Sequence, residues 1–213
     1  MDQGTTLTCF EERTIRYVTL MRQSILDKNL KLLFFVLLCW GISFNGTSQS
    51  IKKMQDNNWW TLSNLNLDIP DSYCYSDSIL NCKKYGRLYT WEAAQKGCRS
   101  LGKGWHLPST AEWNQLLQHV GGAFIDSLNS GKNAFEKLLD TKKLAFGATL
   151  AGNRDPDGTY SRIGAHGFYW TSTVFDDNHA GFLNFAKGKN VLFLQPDMEK
   201  KSAISVRCIK NSK

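Results

Sequence analysis

The stretch WHLPSTAEWNQLLQHVGG, residues 105–122, decides the architecture of this chain. Ser109 with Glu112 three residues on is a capping box, in which each side chain satisfies the other residue's free amide at the start of a helix. Trp113, Leu116, Leu117 and Val120 then recur with the 3.6-residue period of a helix that buries one face. Gly121-Gly122 stops it. The same placement settles the reading of Glu112. A carboxylate beside a tryptophan and near His106 invites assignment as a general acid, but its position makes it a structural cap.

Working upstream, KYGRLYTWEAAQKGC (84–98) enters by Tyr85–Tyr89 and predicts a second helix, capped by Thr90 and ended by Gly97 and the SLGKG stretch. Residues 68–82 read as a turn-rich loop with a hairpin look. NNWWTLSNLNL (57–67) reads as a strand with Trp60, Leu62 and Leu65 inward. Residues 49–58 are polar and read as a loose lead-in. Downstream, a weaker helix covers Asn133–Leu139. LAGNRDPDGTYSRIG (150–164) centres on the turn Pro156-Asp157-Gly158. FYWTSTVF (168–175), GFLNF (181–185), NVLFL (190–194) and AISVRCI (203–209) alternate as strands. Two helices early and a run of strands late predict an α+β domain and not an alternating βα fold.

The 213 residues carry 26 bases against 19 acids, a net charge of +7. With 21% charged and 12% aromatic residues the chain is neither disordered nor of low complexity. The bases are dispersed in pairs such as Lys83/Lys84 and Lys200/Lys201, with no nucleic-acid motif. They fit solvated lysines on turns, or a weak attraction to anionic glycans or cell-surface polymers.

LKLLFFVLLCWGISF (30–44) has an apolar core too short to span a bilayer and of the length of a secretory h-region. Arg22, Lys28 and Lys31 supply the positive flank, and Gly46 and Ser48 suit a cut before Gln49. The expected division is a spurious or extra extension at 1–20, a signal peptide or uncleaved anchor at 21–48, the loose segment 49–58, a domain at 59–210 and a tail at 211–213. Membrane contact is expected only through this segment, if it is retained. Cys39 lacks the small preceding residue of a lipid-attachment site.

Four cysteines follow the leader. An even number in an exported chain reads as disulfides. Cys74 and Cys82 flank a short polar loop and suit a local bridge. That leaves Cys98, in phase with Trp91 and Ala94 on a helix, and Cys208, in phase with Ile204 and Val206 on a strand. No CxxC, HExxH, phosphate loop or Ser-His-Asp spacing occurs, and His106, His119, His166 and His179 show no ligand spacing, so neither cofactor nor metal is expected.

Taken in order, CYSDSILNCKKYGRLYTWEAAQKGC, GWHLPSTAEWNQLLQHVGG, LAGNRDPDGTYSRIGAHGFYWTST and SVRCIKN resemble the Fibrobacter succinogenes major paralogous domain over about Trp59 to Lys210. The resemblance implies an exported or surface-anchored protein of Fibrobacter- or Bacteroidetes-type bacteria. It also implies a C-type-lectin-like fold, with two helices on a small antiparallel core and a bridge from the first helix to the last strand. The family's longer opening hairpin is not matched, so an edge strand is expected to be missing or altered. LPSTAEW further resembles a motif of formylglycine-generating enzymes. That chemistry needs a reactive cysteine pair late in the domain, where this chain has only Cys208, so no enzyme is expected.

In lectin-like folds the ligand surface lies in the long-loop region, here about 150–190. The candidate contacts are Arg154, Asp155, Asp157, Tyr160, His166, Trp170, Asp176, Asp177 and Asn178. Several have structural alternatives, Trp170 as core and the aspartates as turn formers. Gln195-Pro196-Asp197 reproduces a triplet of calcium-dependent lectins. It stands too close to Cys208 and lacks its partner triplet, so it reads as a strand-end turn. The expected function is a non-catalytic module that binds a glycan or a surface protein, with no nucleic-acid partner. A structural or adhesive component without a small ligand is the alternative.

Overall fold

The computed structural model describes residues 49–121, 130–140, 146–188 and 191–212. The expected extension and signal segment, with Cys39, lie outside the described residues. In chain order the elements are β1 (Ile51–Lys53), β2 (Trp59–Thr61), β3 (Ser72–Tyr73), α1 (Ile79–Tyr85), β4 (Leu88–Tyr89), α2 (Trp91–Arg99), β5 (Trp105–His106), α3 (Thr110–Gly121), α4 (Ser130–Leu139), β6 (Asn153–Arg154), β7 (Tyr160–Ser161), β8 (His166–Val174), β9 (His179–Ala186), β10 (Val191–Glu199) and β11 (Ile209–Lys210). The result is a mixed α and β fold. Its sheets, β1-β2-β11-β5, β10-β9-β8, β3-β4 and β6-β7, all pair antiparallel.

Helix α3 follows the sequence chemistry. The Ser109 amide and hydroxyl both donate to Glu112 Oε2, at 2.8 and 2.9 Å, and the Glu112 amide returns to Ser109 Oγ at 3.2 Å. Trp113, Leu116, Leu117 and Val120 are buried. Helix α2 departs in two details. Thr90 sits at its N-cap but its side chain makes no capping bond. Gly97 lies inside the helix and does not end it. A Cβ there would stand 2.6 Å from Leu65 Cδ2, so the glycine serves close approach between the helix and the 62–67 segment.

The N-terminal and cysteine-loop expectations change more. Residues 49–58 are not loose throughout: Ile51–Lys53 form the edge strand, paired with β2. The expected strand 57–67 shortens to Trp59–Thr61. The 68–82 loop ends in helix α1, with Cys82 on its buried side. Two disulfides form, Cys74–Cys82 and Cys98–Cys208.

Among the described residues the core has two large clusters and a small third one of Leu88, Ala151 and Ala203. Trp60, Trp113, Phe146, Tyr169 and Phe185 centre one, and Tyr89, Trp91, Trp170, Val206 and Cys208 centre the other. The Trp60 and Trp113 rings lie 4.9 Å apart. Every one of these indoles finds an acceptor, which fixes its orientation as well as its burial. Trp60 donates to Asp56, Trp91 to the Thr171 carbonyl, Trp113 to the Trp170 carbonyl and Trp170 to the Tyr89 carbonyl.

Residues 202–209 run between the clusters and are buried without interruption. The expected strand at 203–209 is therefore mostly isolated bridges, Ala203 to Arg154, Ile204 to Tyr89 and Ser205 to Tyr169, before the two-residue β11. Arg207 sits fully buried in this run. It donates to Asn64 Oδ1, to the Thr61 carbonyl and to the Gly147 carbonyl, at 2.8, 2.9 and 2.8 Å.

Candidate functional site

Strands β8, β9 and β10 turn one face, including Tyr169, Leu183, Phe185 and Leu192, into the first cluster. Alternation along a strand puts their neighbours on the other face. Phe168 pairs with Asn184, and Trp170 with Phe182, across β8 and β9. Where this second face meets the β6–β7 hairpin and the end of β10, it forms a cleft of about 390 Å³. Phe168 and Phe182 are its apolar floor. Asp155, Arg162, Asn184 and Asp197 stand around it.

The polar groups of the cleft are held by one another. Buried Asn153 donates to Asp155 Oδ1 at 2.7 Å, and its own carbonyl oxygen accepts from Arg162 Nη1 at 3.0 Å. His166 Nδ1 lies 3.3 Å from Asn184 Oδ1, and Asn184 donates to Gln195 Oε1 at 3.0 Å. The imidazole stacks on Phe168 with ring centroids 5.3 Å apart. Glu199 adds a third carboxylate to Asp155 and Asp197, against the single guanidinium of Arg162. The cleft is thus mildly acidic, with several acceptors and a few fixed donors over an aromatic floor. Chemically, such a lining offers acceptors and donors to hydroxyl groups and an unfavourable field to anions.

The nine predicted contacts divide among four places. Asp155 and His166 line the cleft. Arg154, Asp157 and Tyr160 lie at or beside the β6–β7 hairpin. The Arg154 guanidinium covers the Tyr73 ring at 4.1 Å, Tyr160 donates to Asp77 at 2.8 Å, and Asp157 accepts the Thr159 amide as a turn former. Asp176, Asp177 and Asn178 form the β8–β9 turn, where Asp176 accepts the Asn178 and His179 amides. Trp170 is fully buried in the second cluster, with no surface left for a ligand to meet. Asn153, Arg162, Asn184 and Glu199 were not among the predicted contacts, and no motif marks them. Asp197 was set aside as part of a strand-end turn. Pro196 and Asp197 in fact lie within β10, at the register shift between Gln195 and Met198, which turns Asp197 toward the cleft. No group of three or more His, Cys, Asp or Glu able to hold a metal occurs among the described residues.

His106 and Glu112 form the pair most like an acid–base couple, with Nε2 to Oε1 at 2.9 Å. Burial alone would raise the Glu112 carboxyl. The hydrogen bonds from His106 and from Ser109 outweigh it and hold the group at about 2. His106 is raised by its bond to Glu112, against the opposing effect of burial. The two signs define a window. The Glu112 contribution is complete above the ordinary carboxylate value and is lost as pH falls toward 2. The His106 contribution is complete below the ordinary imidazole value and is lost as pH rises through its raised one. Thermal stability is expected to be highest between those ordinary values. Glu112→Gln is expected to flatten the profile on both flanks, as followed by melting temperature against pH. An unchanged profile would refute the coupling.

The model of the Fibrobacter succinogenes major domain family matches residues 26–210. The match begins ahead of Trp59, where the resemblance was placed, and takes in part of the segment 21–48 expected to be a signal or anchor. No curated protein and no solved structure matches the chain.

Proposed function

The chain belongs to the Fibrobacter succinogenes major domain family, and on that premise we propose an exported, non-catalytic binding module of C-type-lectin-like fold. Its ligand is a neutral glycan, held in the β8–β10 cleft. The observation that carries this reading is the cleft itself, an aromatic floor ringed by hydrogen-bonded amides and carboxylates. Export is supported by the two disulfides, which form and persist in oxidising compartments. No described helix is long and apolar enough to cross a membrane. The lectin-like assignment is supported by the bridge from α2 to the residue before β11. A formylglycine-type reaction is disfavoured because all four described cysteines are paired, which leaves no free thiol among the described residues.

Glycan-array binding tests the reading. Selective retention of neutral sugars is expected, and Asn184→Ala with Asp197→Ala is expected to weaken it about tenfold at an unchanged melting temperature. One observation favours the alternative of a structural surface component. Ile79 and Leu80 at the start of α1 are 60% and 69% exposed and suit contact with another protein. A blank array with a co-purifying surface protein would establish that alternative instead.

A further inference from the structure

On the sheet β1-β2-β11-β5, four residues line up across the strands. Lys53 pairs with Trp59, Trp59 with Lys210, and Lys210 with Trp105. Directly opposed residues share a face, so an indole stands between two ammonium groups. Trp59 is 38% exposed, while the adjacent Trp60 on the opposite face is fully buried. Lys103 stands at the rim of the same cleft, whose volume is about 740 Å³ and whose described lining residues include no Asp or Glu. His106 also lines it, but is held by Glu112.

Two details bear on what this row can hold. Lys53, Lys103 and Lys210 form no ion pair among the described residues. Gly104 has φ +87°, and Lys210 Cγ and Cε would stand 3.5 Å from a Cβ built there. The lysine stem therefore lies along bare backbone, which restrains the chain and leaves the ammonium free. Like charges gathered this closely repel one another, and an anion relieves that repulsion. Lys53 and Lys210 flank Trp59 two strand spacings apart, roughly 9–10 Å. That separation is comparable to the advance of two sugar rings along an extended polysaccharide.

We propose that this face is a second binding site, for an anionic polysaccharide. A pyranose ring stacks on Trp59, and carboxylate or sulfate groups on neighbouring sugars meet Lys53 and Lys210, with Lys103 at the rim. The site is opposite in charge to the β8–β10 cleft and does not depend on it.

The test is affinity electrophoresis of the full chain in gels containing polygalacturonate, with dextran as the uncharged control. Retardation by polygalacturonate is expected, and it should fall as salt rises. Lys53→Gln with Lys210→Gln should weaken it about tenfold. Trp59→Ala should weaken it to a similar degree with no change in net charge, and Trp59→Tyr, which keeps a ring, should retain binding. Lys83→Gln with Lys84→Gln removes the same charge elsewhere and should change binding less than about twofold. Absence of retardation at low salt would overturn the proposal. So would equal weakening by the two lysine pairs, because net charge alone would then account for the binding. Neutral-glycan binding in the β8–β10 cleft should survive the Lys53 and Lys210 changes, so the two sites fail separately.

Discussion

Arg207→Met is expected to destabilise the fold by about 3–5 kcal/mol. The guanidinium is fully buried, and its three hydrogen-bond acceptors are all neutral. Its charge is further accommodated by the Phe146 ring at 4.5 Å and the Tyr169 ring at 5.9 Å. Burial pushes its pKa down, yet guanidinium remains charged in proteins. Methionine fills much of the space but leaves the Thr61 and Gly147 carbonyls without these donors in the interior. Asn64 Oδ1 is less affected, because it also accepts from the Tyr169 hydroxyl at 2.8 Å. Each buried acceptor left unpaired costs about 1–3 kcal/mol. Lysine is not expected to rescue the fold, since one ammonium cannot reproduce a planar fork aimed at three acceptors on two segments. Urea denaturation measures the effect. A loss below about 1 kcal/mol would show that the carbonyls are satisfied without the arginine.

Replacing Cys98 and Cys208 together by alanine is expected to cost about 4–5 kcal/mol in the chain-entropy description. The bridge spans a sequence separation of 110, and both cysteines are fully buried in the second cluster. The Cys74–Cys82 bridge spans a separation of 8. Its removal is expected to cost about 2–3 kcal/mol. The ordering is the sharper outcome. Equal losses from the two double variants would show that loop closure does not govern the contribution of the long bridge.

The sequence exposed those parts of the fold that rest on local chemistry. Helix α3 was legible because its cap and its apolar period both lie within a dozen residues. Helix α1 was not, because ILNCKKY buries only Cys82 and so displays no apolar stripe. The run 202–209 was misread for a different physical reason. Alternation along a strand assumes that one face meets solvent, and here both faces meet core, so Arg207 lies as deep as Val206. The candidate site was half visible. Asp155 and His166 could be chosen by residue type and region. Arg162 and Asn184 become contacts only when hairpin and strand register bring them beside Phe168, and register is a long-range property. Asp197 was hidden by a register shift inside β10, which no residue pattern announces. The outward face of Trp59 was implicit in Trp60 pointing inward, since consecutive strand residues face opposite ways, but Trp59 was not among the predicted contacts.

The run at 202–209 also imposes an order of events on a chain delivered amino-terminus first. Cys74 and Cys82 can pair soon after they emerge, because nothing distant is needed to bring them together. Cys98 must wait as a thiol until its partner more than a hundred residues later arrives. Until then both aromatic clusters lack the segment that runs between them, and Asn64, Thr61 and Gly147 lack the arginine that ties them together. Without residues 204–209 neither large cluster has its full set of side chains. A carboxy-terminal truncation that removes Arg207 and Cys208 would leave an oxidisable, open chain in place of a smaller folded one.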